Sequence, residues 1–455
     1  MLSKRGLYDY RYMLECRSMI HPSIRFLKAF LERLKNDEII MAHLRYKPLT
    51  EEMAFSGDYD FITAPENIDP ILKRLFDMAS KQNIDFVLNR VKHGKVMVYL
   101  YSGIDDKVIL LEIWTHLDVK CDETLGYIFW DDLKAHVEYR EGYGHALSME
   151  IEALYYLSHL KSKKKDLTIE LIQLRLRHYT QQLETSAPEV ASWFETLSKE
   201  PSQRDAIAQK ANSALVDHKV LYRESDREKR TIERETRLKV SAHRIYAQLV
   251  KKVRIFPVVG PDGVGKTSLI EMLKSHSRSK IKYYRFKNLF RHNILYQLSA
   301  PFLKKRLPEK MEKNQYDDYY GDWIITIAAI RYPFLVLVTL FSKKFYFSDR
   351  FFHDFIIQDT RFLEKRAHLR VGWKKLLIRS PNSYWFLHLD APSDVILARK
   401  DELNREAIDS YREDIFTMYL EKPSLIYSYI NTALPIERCT EHLLETAKNI
   451  GIKRR

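Results

Sequence analysis

Cysteine is scarce and scattered. The 455 residues hold three, Cys16, Cys121 and Cys439, too far apart for a CxxC or any metal-ligand spacing, which excludes a disulfide or zinc scaffold and fits a reducing compartment. Internal repeats and low-complexity tracts are also missing. The basic N-terminus, MLSKRGLYDYRYMLECR, has no apolar stretch behind it and so is not a secretory signal; a cytoplasmic location is expected. Only one run, WIITIAAIRYPFLVLVTLF at 323–341, nears the length of a membrane span. Arg331 and Pro333 interrupt it at its centre, where a charge costs about 2.5–3.5 kcal/mol on insertion. A buried helix is expected there instead of a transmembrane span, with membrane-surface contact as the remaining reading.

The chain is long enough for two domains, each with a core of ordinary size. A hydrophobic share of 45%, with 12% aromatic and 30% charged residues, describes a folded protein and excludes global disorder. The formal net charge of +14 attracts polyanions: nucleic acid, an acidic membrane face or phosphorylated substrates. Any phosphate-binding enzyme needs a positive site, so nucleic acid is not the favoured partner.

Residues 1–165 mix helical and strand-like runs. Apolar spacing predicts helices over 24–35 and 68–81, and strands over 38–44, 60–63, 86–89, 95–101 and 108–117. This is an α+β domain with a small mixed sheet. A helical stretch at 152–165 ends in a basic cluster. Residues 166–252, rich in Lys, Arg and Glu towards their end, read as a helical, charged connector. From 253 to 455 strand-like runs at 254–259, 282–286, 345–347, 384–389 and 434–436 alternate with helical segments, which predicts an α/β domain with a parallel sheet flanked by helices.

Gly260, Pro261, Asp262, Gly263, Val264, Gly265, Lys266 and Thr267 fit G-x-x-x-x-G-K-[ST] at every fixed position, after a strand and before a helix that opens with Ser268. The glycines let successive amides converge on phosphate oxygens at the positive end of the helix. Lys266 is suited to the β/γ oxygens, and the Thr267 hydroxyl to Mg²⁺. The pattern predicts a triphosphate site, with MgATP as the expected nucleotide, and leaves the acceptor open.

Three ordered motifs make residues 253–455 resemble the thymidylate kinase family of P-loop kinases. Asp262 stands where that family carries an acid facing the acceptor. Asp349-Arg350-Phe351 is similar to its Asp-Arg-Tyr motif, with Phe for Tyr. YWFLHLDAP at 384–392, followed by SDVILARK, resembles its strand, Leu-Asp-x-Pro turn and helix leading to a lid arginine. The resemblance implies that Asp349 orients Mg²⁺-bound water or the acceptor, that Arg350 clamps an acceptor phosphate, and that Arg399, with Arg405 and Arg412 behind it, closes over the moving phosphoryl group. Arg331 corresponds to an arginine facing the acceptor, with a structural buried ion pair as the alternative; Arg285 is a weaker acceptor candidate. The lid lacks an Arg-Gly-Arg pattern and 287–321 has no counterpart. Arg399-Lys-Asp-Glu-Leu403 resembles a subgroup associated with bacterial surface-polysaccharide synthesis, which adds sugars and glycolipids to nucleoside monophosphates as acceptors. A homodimer is the expected assembly.

In the first domain, Asp58 and Asp60 lie at i and i+2, on one face of a strand, and Glu112 on a later strand can complete a metal site. This resembles the nucleotidyltransferase fold, although no Gly-Ser pair precedes the acids in MAHLRYKPLTEEMAFSG.

An ATP-dependent phosphotransferase is therefore the leading expectation. A nucleic-acid end-modifying kinase with a nucleotidyltransferase domain is the second, and a non-catalytic, ATP-switched assembly module the third.

Overall fold

The computed structural model describes residues 20–449, apart from 48, 51–53, 56, 83, 103–106, 122–123, 142, 222–226, 277–280, 287, 292–293, 305–320, 343, 353–384, 401–403 and 422–423. The chain divides into two compact units: residues 1–74 with 99–234, and residues 75–98 with 235–455.

The strands in chain order are β1 Met41–His43, β2 Asp58–Thr63, β3 Asp85–Lys92, β4 Lys95–Tyr101, β5 Val108–Trp114, β6 His116–Cys121, β7 Thr124–Phe129, β8 Val137–Arg140, β9 Gly144–Leu147, β10 Ile255–Val259, β11 Ile281–Arg285, β12 Phe345–Asp349, β13 Trp385–Asp390 and β14 Ile426–Asn431. The helices are α1 Pro22–Asn36, α2 Ile68–Gln82, α3 Trp130–Leu133, α4 Met149–Lys163, α5 Glu170–Leu183, α6 Pro188–Lys199, α7 Arg204–Asp217, α8 Arg227–Val250, α9 Lys266–His276, α10 Asn288–Arg291, α11 Ile294–Lys304, α12 Gly321–Phe341, α13 Ser393–Arg399, α14 Arg405–Glu421 and α15 Ile436–Asn449.

In the first unit the sheet order is β5-β2-β1-β9-β8. β2 and β5 run parallel with Asp60 opposite Glu112, whereas β1 runs antiparallel to β2. α1 forms because Pro22 fixes its first turn, the His21 ring accepts from the Ser23 amide at 3.3 Å, and Ile24, Leu27, Phe30 and Leu34 recur on one buried side. Residues 166–217 of the helical, charged connector form three helices. α5, α6 and α7 bury Leu176, Tyr179, Leu183, Phe194, Leu197 and Leu215 in one core with Ile62, Leu147 and Leu154. α4 is buried on nearly every side, including Glu152, whose carboxylate accepts from Arg140 at 2.8 Å and Tyr179 at 2.7 Å. A buried carboxylate needs such partners to remain charged.

The second unit is α/β. Its parallel strands are ordered β11-β12-β10-β13-β14, and β3 adds to β14 in the antiparallel sense. Periodicity read β3 as part of the N-terminal sheet. Its partner is 343 residues away, through Phe86 opposite Tyr429, and alternation within a strand does not encode a partner. Asp85 secures the join, accepting from the Asn431 amide at 2.8 Å and pairing with His442 at 2.9 Å.

The strand expected at 434–436 is instead a turn and the start of α15, and the strand lies at β14, all six residues of which are buried. Pro435 explains the shift: it cannot donate to a ladder but suits a helix entrance. α12 differs from expectation too. Ile327, Ala328 and Tyr332 are buried, whereas Ile330 and Phe334 are exposed, so among the described side chains burial is confined to one side of the helix. Among the described residues no helix is long and apolar enough to cross a membrane.

Candidate active site

The strand β10 is wholly buried and ends at the glycine-rich loop. It is the first strand of the second unit's parallel set. The next strand in sequence, β11, lies beyond β12 on one side, and β13 lies on the other. The loop therefore emerges at the carboxyl end of the sheet where strand order reverses, the crevice in which open α/β sheets bind ligands.

Gly260, Gly263 and Gly265 have φ of +146°, +90° and +90°. At Gly260 a side chain is excluded outright, because a Cβ there would stand 2.2 Å from the Leu389 carbonyl oxygen. The loop feeds α9, where Lys266 is buried and Thr267 and Ser268 are exposed at the first turn. Lys266 Nζ donates to the carbonyls of Gly260 at 2.7 Å and Pro261 at 3.0 Å, and lies 3.5 Å from Asp262 Oδ1. Its ammonium is held within the loop that would receive phosphate.

Asp349 ends β12, and Arg350 follows it in a bend. Arg350 has a φ of +65°, a conformation a bulky residue adopts only when its surroundings hold it there. The hold is visible: its amide donates to Val258 O at 3.1 Å, and Ser348 Oγ donates to its carbonyl at 3.0 Å. The guanidinium then reaches Asp262 Oδ2 at 2.7 Å. Burial alone would raise the Asp262 carboxyl, but the Arg350 and Lys266 charges outweigh it and keep its pKa below the usual carboxylate range. Asp262, Lys266 and Arg350 thus come together as one charge cluster.

Asp349 accepts from Tyr283 Oη at 2.7 Å through Oδ2, and Arg285 Nε donates to the same phenol oxygen at 3.2 Å. Its other oxygen, Oδ1, is buried and has no hydrogen-bond partner among the described residues. A carboxylate with one satisfied and one spare oxygen at this position suits a divalent cation or its water, with the exposed Thr267 hydroxyl as a second oxygen donor.

The remaining arginines have distinct partners. Arg399 is tied to Thr432, donating to its carbonyl at 2.9 Å. Arg412 binds the buried Asp390 at 2.5 and 3.1 Å and Asp409 at 2.7 Å, while Tyr429 Oη donates to Asp390 at 2.8 Å. The motif aspartate thus anchors α14 to β13. Arg405 pairs with Asp394 at the surface. Arg331 is half-buried near Tyr284. Residues 401–403 of the Arg-Lys-x-Glu-Leu pattern lie outside the described residues, as does Tyr384.

Sequence reasoning passed over Lys400. Its Cβ lies 3.0 Å from where a Gly263 side chain would begin, and its charge helps lower Asp262. The signal was available, since Lys400 ends the helix that follows the Leu-Asp-x-Pro turn, one residue after the arginine singled out.

The first unit holds a second cluster. Ligand atoms of Asp58, Asp60 and Glu112 all lie within 4.8 Å of one another, as the parallel β2–β5 register requires. The buried Arg45 guanidinium forms an ion pair with Asp60, stands 3.9 Å from Asp58 and lies 3.0 Å from His159. Lys47 is buried as well, donating to Gly57 O at 3.0 Å and lying 3.8 Å from the centre of the Tyr59 ring. Burial lowers its pKa to about 7 against the opposing pull of Asp58. Neither cation stood out in sequence, although Arg45-x-Lys47 directly follows β1 where a Gly-Ser pair was sought.

No family model matches the chain, and no curated protein does. Among solved structures it is similar to thymidylate kinase from Ehrlichia chaffeensis, with 14% identity over 43% of this chain and 98% of that one, at a TM-score of 0.29.

Proposed function

We propose that the second unit is an ATP-dependent phosphotransferase of the nucleotide kinase type, acting on a nucleoside monophosphate or on a sugar or glycolipid. The observation that carries this reading is the loop itself: glycines with positive φ at the sheet's reversal point, with Lys266, Asp262 and Arg350 gathered beside it.

In this reading the amides of residues 260–267 bind the β- and γ-phosphates. Lys266 exchanges its carbonyl partners for phosphate oxygens, a stronger charge-assisted interaction. Arg350 exchanges Asp262 for an acceptor phosphate, and Asp262, released from it, can orient the acceptor. Lys400 brings a further cation to the transferred group, the role the sequence had given to Arg399; neutralising that charge is where such enzymes gain most of their rate. Thr267 and Asp349 would hold Mg²⁺, which supplies charge neutralisation between the phosphates.

The test incubates the full chain with γ-labelled ATP and Mg²⁺, and screens nucleoside monophosphates, sugars, glycolipids and oligonucleotides for label. Transfer to a small acceptor that Lys266→Ala abolishes is expected. Unchanged turnover in that variant rejects the assignment, and label on oligonucleotides alone favours nucleic-acid end modification.

A second reading, divalent-cation binding and nucleotidyl transfer by the first unit, is favoured by the convergence of Asp58, Asp60 and Glu112. The Arg45 guanidinium already compensates two of these carboxylates. A cation entering there must move it or arrive with an anion, such as a triphosphate, that takes up its charge.

A further inference from the structure

The parallel strands β11 and β12 are in register with Tyr283 opposite Phe347 and Arg285 opposite Asp349. Alternation along β11 puts Tyr283 and Arg285 on one sheet face, and the register puts Asp349 on that face with them. Tyr283 therefore meets Asp349 on the diagonal, a separation that a long aromatic side chain can bridge. The phenol does so: its Oη donates to Asp349 Oδ2 at 2.7 Å and accepts from Arg285 Nε at 3.2 Å. Phenylalanine could fill the same place and make neither bond.

The chemistry of this relay matters more than its strength. Arg285 stands directly opposite Asp349, yet its Nε bonds the phenol, so a neutral hydroxyl satisfies Oδ2. The carboxylate is thus fixed in direction while its negative charge is left for another partner. Oδ1 is buried and has no hydrogen-bond partner among the described residues. A carboxylate held through one oxygen by a neutral donor, with the second oxygen spare, has the form of a supported metal ligand; loss of such a supporting donor typically costs about 10–100-fold in metal affinity.

Resting on the phosphotransfer reading, in which Thr267 and Asp349 hold Mg²⁺, we propose that Tyr283 is the positioning residue of the cation site. It fixes Asp349 through Oδ2 so that Oδ1 serves the metal, and Arg285 steadies the phenol from behind.

The test follows the thermal transition of the second unit in the full chain by scanning calorimetry, with excess ATP in EDTA and with excess ATP in Mg²⁺. Each shift is taken from that protein's own ligand-free transition and converted to an affinity. Reading this transition alone keeps a cation held by the acids of the first unit out of the result. The affinity gained on replacing EDTA by Mg²⁺ is expected to fall about 10–100-fold in Tyr283→Phe, whereas the shift with ATP in EDTA stays that of the parent. Arg285→Gln should lower the gain in the same direction by less. An equal gain in the parent and Tyr283→Phe overturns this inference alone, as does a variant equally weakened towards ATP in EDTA, since the tyrosine is then only structural. No shift of the parent under either condition fails the phosphotransfer reading and takes this inference with it.

Discussion

Replacing Gly260 by alanine is expected to damage the second unit well beyond the usual effect of a loop substitution. The added Cβ would lie 2.2 Å from the Leu389 carbonyl oxygen and 3.0 Å from Val264 Cγ1. Leu389 cannot retreat freely, because it lies within β13 and pairs with Ile430 of β14. Relief therefore requires the loop or a central strand to move by roughly an ångström, at an overpacking cost of about 1–3 kcal/mol. A non-glycine residue at positive φ adds about 1–2 kcal/mol, for a total of about 2–5 kcal/mol.

Gly265 supplies the control. It also has positive φ, +90°, but nothing lies within 4 Å of its added Cβ, so Gly265→Ala should cost only the backbone part, about 1–2 kcal/mol. In a domain of this size each kcal/mol shifts Tm by about 2–4 °C. Differential scanning calorimetry of the full chain should therefore separate the two variants by several degrees in the transition of the second unit. Equal losses for the two variants, or a Gly260→Ala protein as stable as the parent, would refute the close approach of loop and strand.

Acid should destabilise the second unit through His388. Burial lowers its pKa from 6.5 to about 4, so the unfolded chain binds a proton that the folded one refuses between these values. Its contribution is complete above pH 6.5 and is lost as pH falls towards 4, by up to about 3 kcal/mol; urea unfolding at pH 7 and pH 4.5 should register the loss, and His388→Gln should lessen it. In the first unit, Mn²⁺ added with a nucleoside triphosphate should give a bound electron-resonance signal that Glu112→Gln weakens. An identical signal from the parent and the variant would remove the triad from cation binding.

Local chemistry was legible in the sequence where residues act on near neighbours. The loop at 260–267 states its own conformation through glycines and a lysine. Asp58 and Asp60 share a strand face by alternation alone. Helices α1 and α2 were found to within a few residues, because their apolar spacing is set by one face of one helix. What escaped depends on partners distant along the chain. The addition of β3 to β14, the burial of α5 to α7 and the seizure of Arg412 by Asp390 are choices among many apolar or charged surfaces, and no local pattern ranks them. Arg399 and Lys400 show the same limit at the smallest scale: adjacent cations, one tied to Thr432 and the other beside the loop.

The central claim is that the loop between β10 and α9 holds a polyphosphate. Isothermal titration calorimetry of the full chain with MgATP addresses it directly. Saturable binding that is lost in Lys266→Ala, with the thermal transition of the fold retained, is the predicted result. No heat from the parent protein with either adenine or guanine triphosphate, or binding unaltered by the substitution, would contradict it.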